Sequence, residues 1–225
     1  NKLMTVLHII NNLEVGGAER QLIHLVCNDS KNKHIIFNLI GKNLFEEKLK
    51  ESNVIEIKFN FKSRNPYTLL LNLFNFYKSV YFYKPEAIIF WLYHSFLFSI
   101  PMFLLFKSKL KLYWNIRQVV PEFKYEKKFT KIIFFITKLF SKYPKAIIFN
   151  SIESMKDHIR INYSNSNNIF IPNGFEYNKM LNEFIDPNFE KKIKNKKIIS
   201  LIARYHLSKG HLFFIETAIN ILKKN

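Results

Sequence analysis

The chain has 225 residues, enough for one full core and the start of another. Hydrophobic residues make up 48 %, with 24 Phe and 11 Tyr, which excludes a disordered chain, and scarce Gly excludes a collagen-like or linker-dominated one. The formal charge of +18 has two readings: drift of the whole composition toward Asn, Ile, Lys and Phe, or a surface that meets a membrane, a nucleic acid or phosphorylated substrates.

In chain order, short apolar runs alternate with segments of helical period, the pattern of strand-helix units around a parallel sheet. Thr5 to Ile10 reads as a first strand, ending at Asn11 and Asn12. The lead into it, Asn1 and Lys2, has no apolar stretch of signal-peptide length, and the missing initiator Met hints at a start further upstream. Gly16 and Gly17 open a helix to about Cys27, and His34–Ile40 and Val54–Ile57 follow as strands. Tyr67–Phe82 reads as a helix, Pro85 as a turn, and Ala87–Trp91 as a strand. Phe90 to Phe106 is shorter than a membrane span and broken by His94, Ser95, Ser99 and Pro101, so it reads as a buried strand and a helix. Leu110–Trp114 and Ala146–Asn150 are further strands, with a helix Phe129–Phe140 between them. Ser151 caps a helix to about Ile161, and Ile169–Ile171 closes the domain at residue 172. Residues 173–197 are polar and basic, a linker. An apolar run, Ile198–Ala203, and a helix from about His211 to Lys223 then begin a second strand-helix domain over 198–225, which such a lone unit leaves incomplete.

Cys27 is the one cysteine, which rules out a disulfide framework and an all-thiolate zinc site, and suits a reducing, cytoplasmic setting. On the helix it reads as a small core residue.

Several sites carry chemistry. In "VGGAERQL", Gly16 and Gly17 lie between a strand end and a helix start, where free N–H groups and the positive helix end suit a phosphate or sugar oxygen. A plain tight turn explains the same glycines, and Glu19 and Arg20 in the first turn fit either a cleft or solvent. His94 in "WLYHS" lies at a strand's carboxyl end, where open α/β sheets place ligands, and Arg117 in "WNIRQ" lies at the next strand's tip. Arg117 suits a carboxylate or phosphate. Asn150 and Ser151 occupy another tip, although capping accounts for Ser151, and His158 in the helix beyond reads as a surface or packing residue. In "IPNGF", Asn173 and Gly174 tolerate left-handed backbone and read as a hinge. In "ARYHLSKGH", Arg204 and Lys209 flank a loop entering a helix, a diphosphate arrangement.

The order "GGAER", "WLYH", "WNIR", "NSIESMKDH", "IPNGF" and "ARYHLSKG" resembles family 4 retaining glycosyltransferases, in particular enzymes of capsular and other surface polysaccharides, over essentially the whole chain. The resemblance implies a GT-B fold: an N-terminal, acceptor-side, Rossmann-like domain with a doubly wound parallel sheet, then the start of a nucleotide-sugar domain. It implies that Arg204 and Lys209 bind the donor diphosphate and that Gly16 and Gly17 lie near the phosphates and the transferred sugar. His94 becomes a candidate catalytic residue. Glu19, Arg20, Arg117, Asn150 and Ser151 become cleft residues facing acceptor or sugar. The family's paired-glutamate motif is absent, so a fragment without turnover of its own is expected.

No cofactor is implied beyond the nucleotide sugar as co-substrate. The chain has no DxD motif, and the expected leaving-group stabilisation is metal-independent. The acceptor is a glycan or lipid-linked hydroxyl. "FTKIIFFITKLFSKYPK", residues 129–145, joins Lys131, Lys138, Lys142 and Lys145 to an apolar face, which fits a core helix with a solvated basic side or a helix on the cytoplasmic face of an anionic membrane. A basic nucleic-acid-binding protein is the rival from another class, but the cations are spread out and no such motif occurs. An inactive glycosyltransferase remnant is the other. A dehydrogenase would need GxGxxG and an acidic residue after the second strand.

Overall fold

The computed structural model describes residues 3–105, 110–121, 123–124, 126–163, 165–175, 191, 194, 197–203, 205 and 209–223. The chain divides into two compact units, Asn1–Gly174 and Phe175–Asn225.

In the first unit, seven strands form one parallel sheet in the order β3-β2-β1-β4-β5-β6-β7. They are β1 (Met4–Ile10), β2 (Asn32–Asn38), β3 (Ile55–Lys58), β4 (Ala87–Trp91), β5 (Lys111–Ile116), β6 (Ala146–Phe149) and β7 (Asn168–Phe170). Strands covered on both faces need continuous apolar runs, and β1, β2 and β4 have them: Leu7, Ile9, Ile10, Ile35, Ile36, Phe37, Ile88 and Phe90 are buried.

The helices α1 (Gly17–Asn28) and α2 (Glu46–Glu51) cover one face. Leu22, Ile23 and Val26 of α1 and Leu49 of α2 pack with Ile10, Ile36 and Trp91. The helices α3 (Pro66–Tyr83) and α6 (Lys128–Phe140) cover the other. Phe76 and Val80 of α3 and Ile133 and Phe134 of α6 pack with Leu7, Ile9, Phe90, Trp114 and Phe149. Asn65 caps α3 by accepting a hydrogen bond from the Tyr67 N–H at 2.9 Å, Pro66 occupies the first turn, and Lys84 ends the helix in the left-handed region. Between β4 and β5 the chain forms α4 (Leu92–Phe96), a 3₁₀ turn and α5 (Ile100–Leu105). No helix among the described residues is long and apolar enough to cross a membrane.

The helix α7 (Ile152–Arg160) joins β6 to β7. Strand order reverses between β1 and β4, which opens a crevice beyond their carboxyl ends.

In the second unit, α8 (His211–Leu222) starts at Gly210, whose φ of +67° is a conformation that glycine adopts without steric cost. The apolar run 197–203 has no sheet partner among the described residues. A strand is stabilised by its neighbours, and apolarity alone does not create one.

Candidate functional site

The residues expected at the crevice sit at the ends of β1, β4, β5 and β6. Gly16 is the N-cap of α1 in extended backbone, so its φ of −154° makes no demand for glycine. Space does make one. A Cβ on Gly16 would lie 2.1 Å from Oε2 of Glu19, whereas one on Gly17 would meet nothing within 4 Å. Glu19 is the third residue of the helix and folds back over the loop, so a carboxylate of the protein itself lies at the positive end of α1. Glu19 thus places its own carboxylate where the glycines suggest a ligand's anion. Arg20, next along the helix, is exposed.

Arg117, just past β5, is the most constrained cation of the crevice. Its Nε donates to Asn115 Oδ1 at 2.9 Å, one terminal nitrogen donates to Asn173 Oδ1, and its guanidinium carbon lies 5.2 Å from the centre of the Trp91 ring. Asn115 is 3 % exposed, so the fork of the arginine is fixed by a buried amide below and the Asn173 loop above. Gly174 is fixed as well: Gln21 of α1 donates to its carbonyl at 2.8 Å and accepts from its N–H at 3.0 Å. Asn173 and Gly174, the last residues of the first unit, thus form a strap tied to it by side-chain bonds. Neither residue has positive φ.

His94 lies on α4, one turn past the tip of β4 where the sequence pattern put it. The turn that carries it is strained. Leu92 has φ +67°, a left-handed conformation that a branched side chain adopts at a cost of about 1–2 kcal/mol. Its neighbours are held from both sides. The Trp91 indole N–H donates to His8 Nδ1 at 3.2 Å, Tyr93 Oη bonds to His158 Nε2, and the Ser95 hydroxyl bonds the carbonyls of Trp91 and Leu92 at 2.8 and 2.9 Å. His94 itself is half-buried, 6.4 Å from the Phe129 ring between centroids, and burial lowers its pKa while Glu126 opposes the shift.

His8 belongs to a chain of buried polar groups with one consistent proton arrangement. Indole is only a donor, so His8 Nδ1 accepts and His8 Nε2–H donates to His34 Nδ1 at 3.0 Å. His34 Nε2–H then donates to Asp29 Oδ2 at 3.1 Å. His8 is 0 % exposed, and burial, reinforced by His34, lowers its pKa from 6.5 to about 3. It is neutral at any physiological pH.

At the tip of β6, Asn150 is half-buried, and Ser151 caps α7 by accepting from the Ser154 N–H at 3.2 Å while donating to Glu153 at 2.8 Å. Capping accounts for Ser151. His158 is a packing residue, 0 % exposed, whose Nδ1–H donates to the Ser154 carbonyl at 2.6 Å and whose Nε2 accepts from Tyr93. Cys27 is half-buried beside the α1 core. Arg204 lies outside the described residues. Lys209, in the second unit, is exposed and precedes the Gly210 cap of α8.

Gln21, Asn115 and Trp91 lie inside quoted motifs without being singled out there, and His8 lies in none. Gln21 bonds Gly174 across 153 residues and Trp91 bonds His8 across 83, pairings that no local pattern announces, while Asn115 holds Arg117 from two residues away as a buried amide.

No family model matches the chain, nor does any curated protein. Solved structures do. HepE (Alr3699) from Anabaena, captured with UDP and glucose, matches with a TM-score of 0.63 at 15 % identity, over 85 % of this chain and 50 % of that one. A glycosyltransferase from Rickettsia africae matches with a TM-score of 0.61 at 18 % identity, over 100 % of this chain and 59 % of that one. The fold is of the GT-B type. The chain spans between half and three-fifths of the length of these GT-B proteins, and at such identities the likeness establishes architecture alone.

Proposed function

We propose that this chain is the acceptor-side part of a retaining glycosyltransferase that transfers a sugar from a nucleoside diphosphate to a hydroxyl of a glycan or lipid-linked acceptor in surface-polysaccharide synthesis. The observation that carries the proposal is the shared fold with a protein captured with UDP and glucose. The built crevice of the first unit, with Arg117 fixed from three sides, supports it.

In this reading the bond between the sugar C1 and the diphosphate oxygen breaks. A new bond forms from C1 to the acceptor oxygen on the same face, and the hydroxyl proton ends on the leaving diphosphate. Arg204 and Lys209 stabilise the charge that develops on the diphosphate, the work a metal ion does elsewhere, so transfer is metal-independent. Gly16 and Gly17 let the donor approach the end of α1, which requires Glu19 to swing away from the loop. His94, kept neutral by burial, exchanges hydrogen bonds with a sugar hydroxyl. Arg117 faces an anionic or hydroxyl-rich group, and Arg20, Asn150 and Ser151 line the acceptor side. The basic, apolar-faced α6 rests on the cytoplasmic face of an anionic membrane, which would place the enzyme beside lipid-linked acceptors.

Replacing Arg204 or Lys209 by Ala in the full-length protein tests the diphosphate assignment. Each should lower kcat/KM for the nucleotide sugar by about 10²-fold or more. Unchanged kinetics in both would sink it.

A further inference from the structure

The Trp91 indole lies on the α1 side of the sheet, in a cluster with Ile10, Leu22 and Ile36. A buried indole N–H needs an acceptor. Those side chains offer none, and among the described residues the N–H donates to His8 Nδ1 alone, at 3.2 Å. Turning the ring over would leave the N–H among aliphatic side chains with its desolvation uncompensated, so His8 selects one orientation of the ring.

His8 serves as that acceptor because its own proton is committed elsewhere. Its Nε2–H donates to His34 Nδ1 at 3.0 Å, and His34 Nε2–H donates to Asp29 Oδ2 at 3.1 Å. The carboxylate at the outer end thus fixes both tautomers, and a bare Nδ1 of His8 faces the indole.

The face of the ring so oriented meets Arg117. Trp91 pairs with Asn115 across β4 and β5, and residues two apart along a strand share a face, which brings Arg117 to the same side just beyond. Its guanidinium carbon is 5.2 Å from the ring centre, and its Nε donates to Asn115 Oδ1 at 2.9 Å. No carboxylate among the described residues forms an ion pair with it. Burial lowers its pKa, as expected of a cation short of water. A ring face and amide oxygens therefore hold this charge, and the attraction of a cation to a ring exists only over the face.

We propose that His8 is a positioning residue for Arg117: by accepting the indole N–H it sets the plane of Trp91, and the ring face so set holds the guanidinium at the crevice. What Arg117 meets there rests on the glycosyltransferase reading above; the positioning does not.

The test follows the exchange of the Arg117 Nε–H with water by NMR in the isotope-labelled chain, the signal being assigned by its loss in Arg117→Lys. In His8→Leu the indole loses its acceptor, and exchange should quicken about tenfold or more. In His8→Asn, whose Oδ1 takes the place of Nδ1, it should stay within about twofold of the parent. The Trp114 indole N–H donates to the Ser99 hydroxyl at 3.0 Å on the opposite face of the sheet, so its unmoved signal shows that the fold survives. If His8→Leu fails that control, His8→Gln replaces it, because its amide reaches the Nε2 side and leaves the Nδ1 side without an acceptor. Unchanged exchange in the variant that lacks the acceptor, or equal quickening in His8→Asn, would overturn the proposal. Absence of nucleotide-sugar turnover would count against the glycosyltransferase reading and leave the positioning of Arg117 standing.

Discussion

Removing the imidazole of His8 should cost stability and also erase a specific pH dependence. In His8→Leu the Trp91 indole N–H and His34 Nδ1 lose their partner in a region sealed from water. Each orphaned group costs about 1–3 kcal/mol, so the loss is roughly 2–6 kcal/mol against a domain stability of about 5–15 kcal/mol. The pH effect has a definite sign. His8 titrates near 6.5 when unfolded and near 3 when folded. Between those values the unfolded chain holds one more proton than the folded one, so this contribution is full above pH 6.5 and is lost as pH falls toward 3. From pH 7 to pH 5 the term is about 2 kcal/mol. Urea unfolding at the two pH values, in parent and variant, measures it. The parent should lose about 2 kcal/mol more than His8→Leu on acidification. Equal losses would refute the buried neutral histidine, and an equally stable variant would refute the polar chain.

The strained turn and the glycine loop give two more outcomes. Asn tolerates left-handed backbone and β-branched Val does not, so Leu92→Asn should be at least as stable as Leu92→Val by thermal melting, although Val is the more apolar and the site is half-buried. The opposite order would show that burial outweighs backbone strain there. At Gly16 the clash is with the flexible end of Glu19, so Gly16→Ala should cost about 0.5–1 kcal/mol by displacing that carboxylate from the helix end. In the Glu19→Ala background the same change should cost close to nothing, and additive costs in the double-mutant cycle would contradict the packing of Glu19 over the loop.

The sheet was legible because parallel strands buried on both faces read as apolar runs, and Ala87–Trp91 was delimited to the residue. The short helix Glu46–Glu51 was not, since five charged residues around the single buried Leu49 carry no helical period. His34–Ile40 was placed two residues late because Asn32 and Lys33 pair with Met4 and Thr5 without being apolar. At the site, residue types at strand tips pointed to His94 and Arg117. What holds Arg117 did not show, because Asn115, Asn173 and Trp91 converge on it only through the register of β4 with β5 and the strap after β7. The tie on Gly174 did not show either, because it comes from Gln21, 153 residues away. The strain at Leu92 was invisible too, since nothing in a leucine announces positive φ.

The central claim is nucleotide-sugar-dependent transfer, and the most direct measurement is a donor screen on the full-length protein. UDP-, GDP- and other sugar nucleotides are offered with a lipid-linked or glycan acceptor, and nucleoside diphosphate release and product anomeric configuration are read together. The account predicts release from one donor class, without added metal, and a product with the donor's anomeric configuration. No release from any donor would contradict the assignment, and an inverted product would contradict the retaining mechanism.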